Sequence, residues 1–511
     1  MLHPASLAMN SAVIAQSHPH RAQAQPLPAG WLLAALAGWL GLTQLLLWRF
    51  LDALPFPIYI LGGAILVLLC LLLVRTTRDF AGPTCGTLLA CIGAAAILLV
   101  LGGEGRFFYA NIDWQVRLAV LRDMSVNPWP FVYTARAEPD LLRAPIGMFL
   151  MPALAAKALG SRAADIALLV QNSLLIGTML ALGSTLFDTR RARMIALVTV
   201  VAFSGLDALG RLVFRGGLSD HIENWAYLQF SSTITQLFWV PQHALAGWIG
   251  ALGFMLWRGG KLPLGPALAL LPLTALWSPL GLMGAMPFVA LAGIVTVMES
   301  KLRWHTVLLP ALATMLAIPA LLYLGAANDA VGTRSQAIVP IQWAIFELLE
   351  IFVYLIPLAL MLRHDRMSLA TIALCGLWLL AIPFVQIGSS TDFMMRGSIT
   401  ALTIIALLVA QGLCRDKGMA RLWLIVMLAI GSVTGLLEIA RAFRHPAAPQ
   451  VRCSFFMAWD QSFGFQPKNT YLAPISRVPA LIRPSAPTHV SAAEPAQCWD
   501  GHWYHPNEKG S

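Results

Sequence analysis

The chain has 511 residues, of which 58% are hydrophobic and only 11% are charged, and its formal net charge is +10. A soluble domain carries about 25% charged residues, so this composition, with a mean hydropathy of +0.71, excludes an ordinary soluble protein. The basic residues lie mostly in short loops between apolar runs and form no tract interleaved with aromatic residues. They therefore indicate membrane orientation rather than nucleic-acid binding.

Apolar runs of about 20 residues, each long enough to cross a bilayer as a helix, recur along most of the chain. Backbone polar groups in lipid must be satisfied within the spanning segment, so unbroken runs of this kind predict helices rather than barrel strands. Pro279, in the sequence WSPLG, is predicted to break the nearly continuous stretch 263–298, because proline cannot continue a helix cleanly. The predicted fold class is all-α, a polytopic membrane helix bundle. The predicted runs are 30–50, 57–75, 84–103, 145–160, 165–186, 192–210, 242–257, 263–279, 280–298, 304–324, 342–362, 367–385, 396–413 and 420–440.

Short basic connections between the runs are predicted to lie on the cytoplasmic side. Three apolar runs separate the connection at Arg75 from the one at Arg190, whereas a common side needs an even number. The run 145–160 is short and contains Pro152 and Lys157, so it is interpreted as interfacial or re-entrant; the alternative is that the Arg190 cluster faces outward. The first interpretation predicts about 13 transmembrane helices in a bacterial inner membrane, with the N-terminus cytoplasmic and the C-terminus outside.

This topology divides the chain into three regions. Residues 1–28 contain no apolar core of signal-peptide length and are predicted to be a disordered lead. Residues 29–440 form the transmembrane bundle, with long outer loops at 104–144 and 211–241. Residues 441–511 are rich in proline and aromatic residues and are predicted to be an irregular extramembrane tail on the outer face.

The cysteines argue against a zinc or redox site, since none has the CxxC spacing. Cys453 and Cys498 lie in the tail. If the tail is outside, they either form a disulfide or remain two free thiols.

The first outer loop is predicted to begin with a short helix. Asn111 is a suitable cap for a helix that starts near Asp113. Trp114, Leu118 and Leu121 would form one apolar stripe, which is typical of a helix lying on the membrane surface.

Two residues of this loop are candidates for chemistry. Asp113 would sit at the water-facing start of the helix, where a carboxylate can act as general base toward an acceptor hydroxyl. The competing interpretation is that Asp113 caps the helix or pairs with Arg117 one turn later. Arg143, near the end of the loop, is predicted either to hold a phosphate through its guanidinium or to extend to lipid headgroups.

The second outer loop and its flank offer metal-ligand chemistry at His221, Glu223 and His243, but their spacing matches no standard metal site. Gln242 and His243 follow Pro241 where a span begins, an unusual place for two polar groups, so they are candidates for substrate binding. The tryptophans of this region fit an interfacial belt or stacking on a sugar ring; they are Trp225, Trp239 and Trp248.

Charged residues in two later spans are also candidates. Asp392 and Arg396 lie one helical turn apart at the start of a span, which is compatible with an anion site or with a plain intrahelical ion pair. Glu347 and Glu350 share a face inside an apolar run. Carboxylates at membrane depth are costly and indicate a function, unless these two reach water near Pro340.

Residues 105–210 resemble the GT-C superfamily, integral membrane glycosyltransferases that use polyprenyl-phosphate sugars. That family has an acidic pair near the start of the first outer loop, followed by a Pro-Leu-containing apolar segment that ends in glycine. Asp113 resembles the catalytic acidic position, and RAPIGMFLMPALAAKALG at 143–160 resembles the apolar segment. Trp114 stands where a second carboxylate is common, and Ala144 stands where the first proline is expected.

The resemblance implies a GT-C-like bundle with short interfacial helices in the first outer loop. It also implies an inverting transfer of a sugar from a polyprenyl-phosphate donor to an envelope glycan, lipid or protein acceptor on the outer face. Asp113 would be the base, and Arg143 or Arg396 would bind the lipid phosphate. A divalent metal is a candidate cofactor, with no ligand residues assigned. Loop position alone adds four residues to the acceptor side: His221, Glu223, Gln242 and His243.

Two other functions stay open at this point. A transporter or flippase for a lipid-linked or anionic solute is favoured by the helix break at 277–281 and by Glu347 and Glu350, since transporters place polar groups on broken helices near the midplane. The sequence contains no internal repeat, however, and transport does not need long outer loops. A non-catalytic membrane protein of envelope assembly is compatible with the tryptophan at position 114.

Overall fold

The computed structural model describes residues 25–504, apart from 219–220, 389–390, 416, 465 and 491–493. The chain is mostly helical (69%), and ten helices in the described part are long and apolar enough to span a membrane. This confirms a polytopic helical bundle and an integral, multi-pass membrane protein.

The helices are α1 (Ala29–Leu51), α2 (Phe56–Thr76), α3 (Cys85–Leu101), α4 (Ile112–Val126), α5 (Gly147–Leu159), α6 (Ser161–Gly183), α7 (Arg190–Ala202), α8 (Asp207–Arg215), α9 (Thr233–Trp239), α10 (Pro241–Arg258), α11 (Leu264–Leu268), α12 (Pro279–Met298), α13 (Trp304–Gly325), α14 (Asn328–Val331), α15 (Pro340–Glu347), α16 (Val353–Met361), α17 (Arg366–Ala381), α18 (Asp392–Gly397), α19 (Ile399–Arg415), α20 (Met419–Arg444) and α21 (Phe455–Phe463). A π-helical segment, Leu348–Phe352, joins α15 to α16. The strands are β1 (Pro26–Pro28), β2 (Ala81–Thr84), β3 (Phe131–Tyr133), β4 (Asp140–Leu142), β5 (Thr333–Ser335), β6 (Val385–Ile387), β7 (Leu472–Pro474) and β8 (Thr488–Val490).

Every predicted apolar run falls on helical structure. Three of them form shorter apolar helices, at Cys85–Leu101, Gly147–Leu159 and Leu264–Thr274. The predicted break at WSPLG is also present: α12 begins at Pro279, and the Ser278 hydroxyl caps it by accepting from the backbone N–H of Gly281. The total of about 13 crossings stays a prediction.

The centre of the bundle is α10, which is buried along nearly its whole length and packs against α6, α11, α12 and α19. Small residues permit this packing. A β-carbon at Gly247 would lie 2.3 Å from Cγ2 of Ile399, so glycine is needed for α19 to approach this closely, as is usual between membrane helices. The carbonyl of Gly247 also accepts a hydrogen bond of 3.1 Å from the hydroxyl of Thr400.

The tail contains short regular elements that its composition did not predict. Its strands β7 and β8 flank β4 and β3 of the first outer loop in one four-stranded sheet of order β7-β4-β3-β8. Cys453 and Cys498 form a disulfide, and α21 packs on α4. The prolines prevent long elements but not three-residue strands, whose partners come from a distant part of the chain. We call α4, β3 and β4 together with α21, β7 and β8 the loop–tail unit.

This unit corrects the prediction for α4. Asn111 caps the helix as expected, accepting a 3.1 Å hydrogen bond from the backbone N–H of Asp113. The apolar stripe of the helix does not face lipid, however, because α21 and α5 pack against the helix and bury most of its residues. The Trp114 indole, predicted to face lipid, is buried and donates a 2.8 Å hydrogen bond to the carbonyl of Phe238.

The run 145–160, for which the basic loops left two topologies open, forms α5, which has 13 residues. A helix of that length rises about 20 Å, whereas the hydrocarbon core is about 30 Å thick. It packs against α1, α4 and α6, and the backbone N–H of Gly147 donates to the carbonyl of Leu276 at 3.0 Å. Its length is consistent with the interfacial or re-entrant interpretation.

Candidate active site

A cavity of about 230 Å³ lies where the loop–tail unit meets the bundle. Its walls come from the start of α4, the segment between α8 and α9, the end of α9, α18 and the tail. Four of the predicted site residues line it, so the structure brings together groups that are far apart in the sequence. The lining residues are Asp113, Val116, Arg117, His221, Gln229, Ser231, Thr235, Gln236, Trp239, Val240, Asp392, Met395, Arg396, Trp459, Phe463, Gln466, Thr470 and Tyr471.

Two intrahelical ion pairs face this cavity. Oδ2 of Asp113 accepts a 2.7 Å hydrogen bond from the guanidinium of Arg117, one turn later in the helix. Asp392 and Arg396 form an ion pair with the same spacing. Both of the intrahelical ion pairs that the sequence allowed are therefore present. The Asp113 side chain keeps 24% of its surface exposed, so its pairing holds the carboxylate in one orientation without closing it off from the cavity.

Tyr471 brings a hydroxyl from the tail to these ion pairs. Burial raises the pKa of Tyr471, and the charges of Arg117, Asp113 and Arg396 also act on it, which places the phenol within electrostatic range of both pairs. The ring of Tyr471 stacks on Phe455 with a centroid distance of 5.6 Å. Sequence reasoning missed this residue because it treated the tail as irregular.

His221 belongs to a hydrogen-bonded wall of the cavity. Its Nδ1 lies 2.9 Å from Oε1 of Glu438, and the other carboxylate oxygen accepts from the indole of Trp239 at 3.0 Å. Burial lowers the pKa of His221, but the hydrogen bond and charge of Glu438 outweigh it, so the pKa is raised overall. The contact with Glu438 thus holds the imidazole in one position.

Glu438 and Arg441, three residues apart in α20, were missed by the sequence analysis. Arg441 donates to both carboxylate oxygens of Glu438, at 3.0 and 3.1 Å, and to the hydroxyl of Tyr109 at 3.2 Å. The sequence did carry a signal for these two residues, because they lie near the end of an apolar run. Charged residues are rare there unless they pair with each other or serve a function.

Glu223 does not line the cavity, but it is hydrogen-bonded to a residue that does. Its carboxylate accepts hydrogen bonds of 2.8 Å from the side chain of Gln229 and from the backbone N–H of Ser232. Burial raises the pKa of Glu223 to about 7. Its position sets the orientation of Gln229, which does face the cavity.

Arg143 also stays outside the cavity lining. Its guanidinium donates to the carbonyl oxygens of Leu324, at 3.2 Å, and Asn469, at 2.7 Å. Its backbone N–H donates to the carbonyl of Tyr471 at 2.6 Å. Arg143 therefore joins the first outer loop, α13 and the tail, and of the two predicted phosphate partners only Arg396 faces the cavity.

Gln242 and His243 lie buried in the first turn of α10. Oε1 of Gln242 and Nδ1 of His243 have no hydrogen-bond partner among the described residues. The charges of Arg396 and Arg117 act on the His243 ring. Neither residue lines the cavity, so their predicted place on the acceptor side is not observed.

A metal centre is not apparent in the part of the chain that the structure describes: no three histidine, cysteine, aspartate or glutamate residues there are arranged to hold an ion. The two cavity carboxylates are instead paired with arginines. We therefore assign no chemical step to a metal.

The lining combines carboxylates and guanidinium groups with amides and with the indoles of Trp239 and Trp459. Small-molecule sites commonly use a few placed polar groups within aromatic walls, and guanidinium groups suit phosphate oxygens. The cavity can thus hold a ligand that has both hydroxyl and phosphate groups. No protein-family model, curated protein or solved structure matches this chain.

Proposed function

We propose that this protein is a GT-C-type membrane glycosyltransferase, which moves a sugar from a polyprenyl-phosphate donor to an envelope glycan, lipid or protein acceptor. The observation that carries the proposal is that Asp113 and Arg396, predicted as base and phosphate partner, line one cavity and interact electrostatically. A base and a phosphate-binding cation have to share one site to act on one sugar phosphate.

In the proposed reaction an acceptor hydroxyl attacks the anomeric carbon of the donor sugar. The new bond joins the acceptor oxygen to that carbon, while the bond from the carbon to the lipid phosphate oxygen breaks with its electron pair. Asp113 takes the hydroxyl proton as general base. The configuration at the anomeric carbon is inverted, because attack and departure occur on opposite faces.

Arg396 stabilises the phosphate as its negative charge increases. A guanidinium beside a departing phosphate acts electrostatically and needs no proton transfer. Asp392 holds Arg396 through their ion pair, and Tyr471 supplies a hydroxyl beside it. Gln229 and Trp239 line the remaining wall, where an amide can bind sugar hydroxyls and an indole can stack on a ring.

The proposed location of the reaction is the outer face of a bacterial inner membrane, with about 13 helices crossing it and the N-terminus cytoplasmic. The Cys453–Cys498 disulfide supports an outer position for the tail, because disulfides persist in oxidising compartments. The tail shares a sheet with the first outer loop, which is consistent with one common side for both.

The test uses membranes that contain the full chain, supplied with radiolabelled polyprenyl-phosphate hexose, pentose and aminosugar donors. Transfer to any acceptor fraction is expected for one donor, and Asp113→Asn is expected to lower its rate by a factor of about 10²–10⁴, the usual contribution of a general base. The matched control is Asp329→Asn, which removes an arginine-paired carboxylate that does not line the cavity. Unchanged transfer by Asp113→Asn would refute its role, and no transfer from any donor would favour a non-catalytic protein of envelope assembly.

A second candidate, a transporter or flippase, is favoured by a group of carboxylates buried in the bundle. Asp207 accepts hydrogen bonds from Ser204 at 2.9 Å and from Thr434 at 3.0 Å. Glu350 lies in the π-helical segment and accepts from Trp225 at 3.2 Å. Intramembrane carboxylates and π-helical segments often mark functional sites.

Glu350→Gln separates the two candidate functions. Proton-coupled export of a lipid-linked solute from vesicles would be lost in this variant, whereas sugar transfer at the cavity would persist. Loss of sugar transfer with intact folding would instead connect Glu350 to the enzyme.

A further inference from the structure

A second cavity, of about 450 Å³, shares no lining residue with the candidate active site. It is bounded by α3, α6, α7, α10 and α19, and most of its lining is apolar. Its volume falls in the range of about 300–1,000 Å³ that is typical of small-molecule sites. Ala90 and Met194 in its lining are exposed, so it is a groove that opens on the surface of the bundle. We call it the α3–α7 groove.

One end of the groove is positively charged. Arg190 and Arg193, in the first turns of α7, line it together with Thr84, which caps α3. Arg190 is exposed, and Arg193 uses its Nε to bind the carbonyl of Phe187 at 3.0 Å. The starts of two helices and two guanidinium groups therefore meet at this end, which favours an anionic group.

The other end is apolar and closes on the buried residues Val200, Trp248 and Leu252. From Arg190 to Val200 the α7 helix rises about 15 Å, which is about half of the 30 Å hydrocarbon core. With the Arg190 loop at a membrane surface, a groove of this length would span a single leaflet. That depth matches an acyl chain whose headgroup stays at the surface.

We infer that the α3–α7 groove is a binding site for an anionic phospholipid of the leaflet on the side of the Arg190 loop. One acyl chain occupies the apolar part, and the phosphate contacts Arg190 and Arg193. The groove shares no lining residue with the cavity proposed for the sugar donor, so the inferred lipid site does not depend on the proposed function.

The test uses the full chain in phosphatidylcholine vesicles that contain a small fraction of phosphatidylglycerol with a photoreactive group at the end of one acyl chain. Crosslinks are expected on the peptides around Val200 and Trp248. Phosphatidylcholine with the same photoreactive chain is expected to label these peptides about tenfold less, because each arginine near the headgroup favours an anionic lipid. Equal labelling by the two lipids would overturn the inference.

Two pairs of variants separate binding from misfolding. Arg190→Gln with Arg193→Gln is expected to reduce labelling about tenfold, whereas Arg75→Gln with Arg78→Gln, in the neighbouring basic connection but outside the groove lining, is expected to leave it unchanged.

Ala90→Trp fills the groove from its exposed rim and is expected to abolish labelling. Leu89→Trp, on the same helix but outside the lining, is expected to leave it intact. Labelling that survives Ala90→Trp, or that polyprenyl phosphate displaces completely, would overturn the assignment to a phospholipid.

Discussion

Replacing both Cys453 and Cys498 by serine is expected to release the tail from the first outer loop more often. The disulfide closes a loop with a sequence separation of 45, which contains α21, β7 and β8. In the chain-entropy description, a crosslink that closes a loop of this length raises the free energy of the detached state by about 4 kcal/mol. A factor of ten in population corresponds to about 1.4 kcal/mol, so the detached population is expected to rise by up to about a thousandfold.

Limited trypsin digestion measures this opening at Lys468, which lies inside the closed loop. Its side chain is only 18% exposed and is paired with Asp460, so cleavage there requires the tail to detach. At low protease concentration the cleavage rate follows the open population. The disulfide-free variant should therefore be cut at Lys468 much faster than the parent protein.

The matched control replaces the exposed free cysteines Cys85 and Cys414 by serine and should leave cleavage unchanged. An increase of less than about threefold at Lys468 in the disulfide-free variant would refute the reasoning. It would mean that the sheet and side-chain contacts, not the chain entropy of the closed loop, decide how often the tail opens.

Three further outcomes are expected. Asp123 of α4 accepts a 2.8 Å hydrogen bond from the backbone N–H of Phe455 in the tail, and burial raises the pKa of Asp123 to about 6. Because this pKa in the docked state lies above the ordinary value, charging Asp123 costs the docked state about 3 kcal/mol. Tail docking, measured by proteolysis, should thus weaken as pH rises from about 4 to 6, between the ordinary and the raised pKa of Asp123, and Asp123→Asn should remove this dependence. Gly284→Ala should destabilise the bundle in thermal unfolding by about 1–3 kcal/mol, because an added β-carbon would lie 2.3 Å from the carbonyl oxygen of Gly397. The control is Gly293→Ala, where an added β-carbon would meet no atom within 4 Å. Glu438→Gln should cost about 3–5 kcal/mol in the same assay, because it leaves a buried arginine without its countercharge.

Local features of the fold followed from the sequence alone. The apolar runs predicted the helices, because a lipid-embedded backbone must satisfy its own hydrogen bonds within each segment. Pro279 predicted the break before α12, and Asn111 predicted the start of α4. Both signals act within one helical turn, so no tertiary information was needed.

The strands of the tail could not be predicted from such local signals. Leu472 pairs with Leu142 in the sheet, more than three hundred residues earlier in the chain. A three-residue strand has too little alternation of apolar and polar residues to reveal a strand, and its partner is set by how the whole bundle brings the two segments together. Tyr471 and Trp459 enter the cavity only through this pairing and through the packing of α21 on α4.

The sequence by itself determined a membrane helix bundle and supplied Asp113, His221, Asp392 and Arg396 as candidates. Only the tertiary structure decided that these four share a cavity, while Arg143 binds carbonyl groups. Residue type and spacing define what a side chain can do, but its partners depend on contacts between distant segments. A guanidinium can bind either a phosphate or a carbonyl, and the packing around it selects between them.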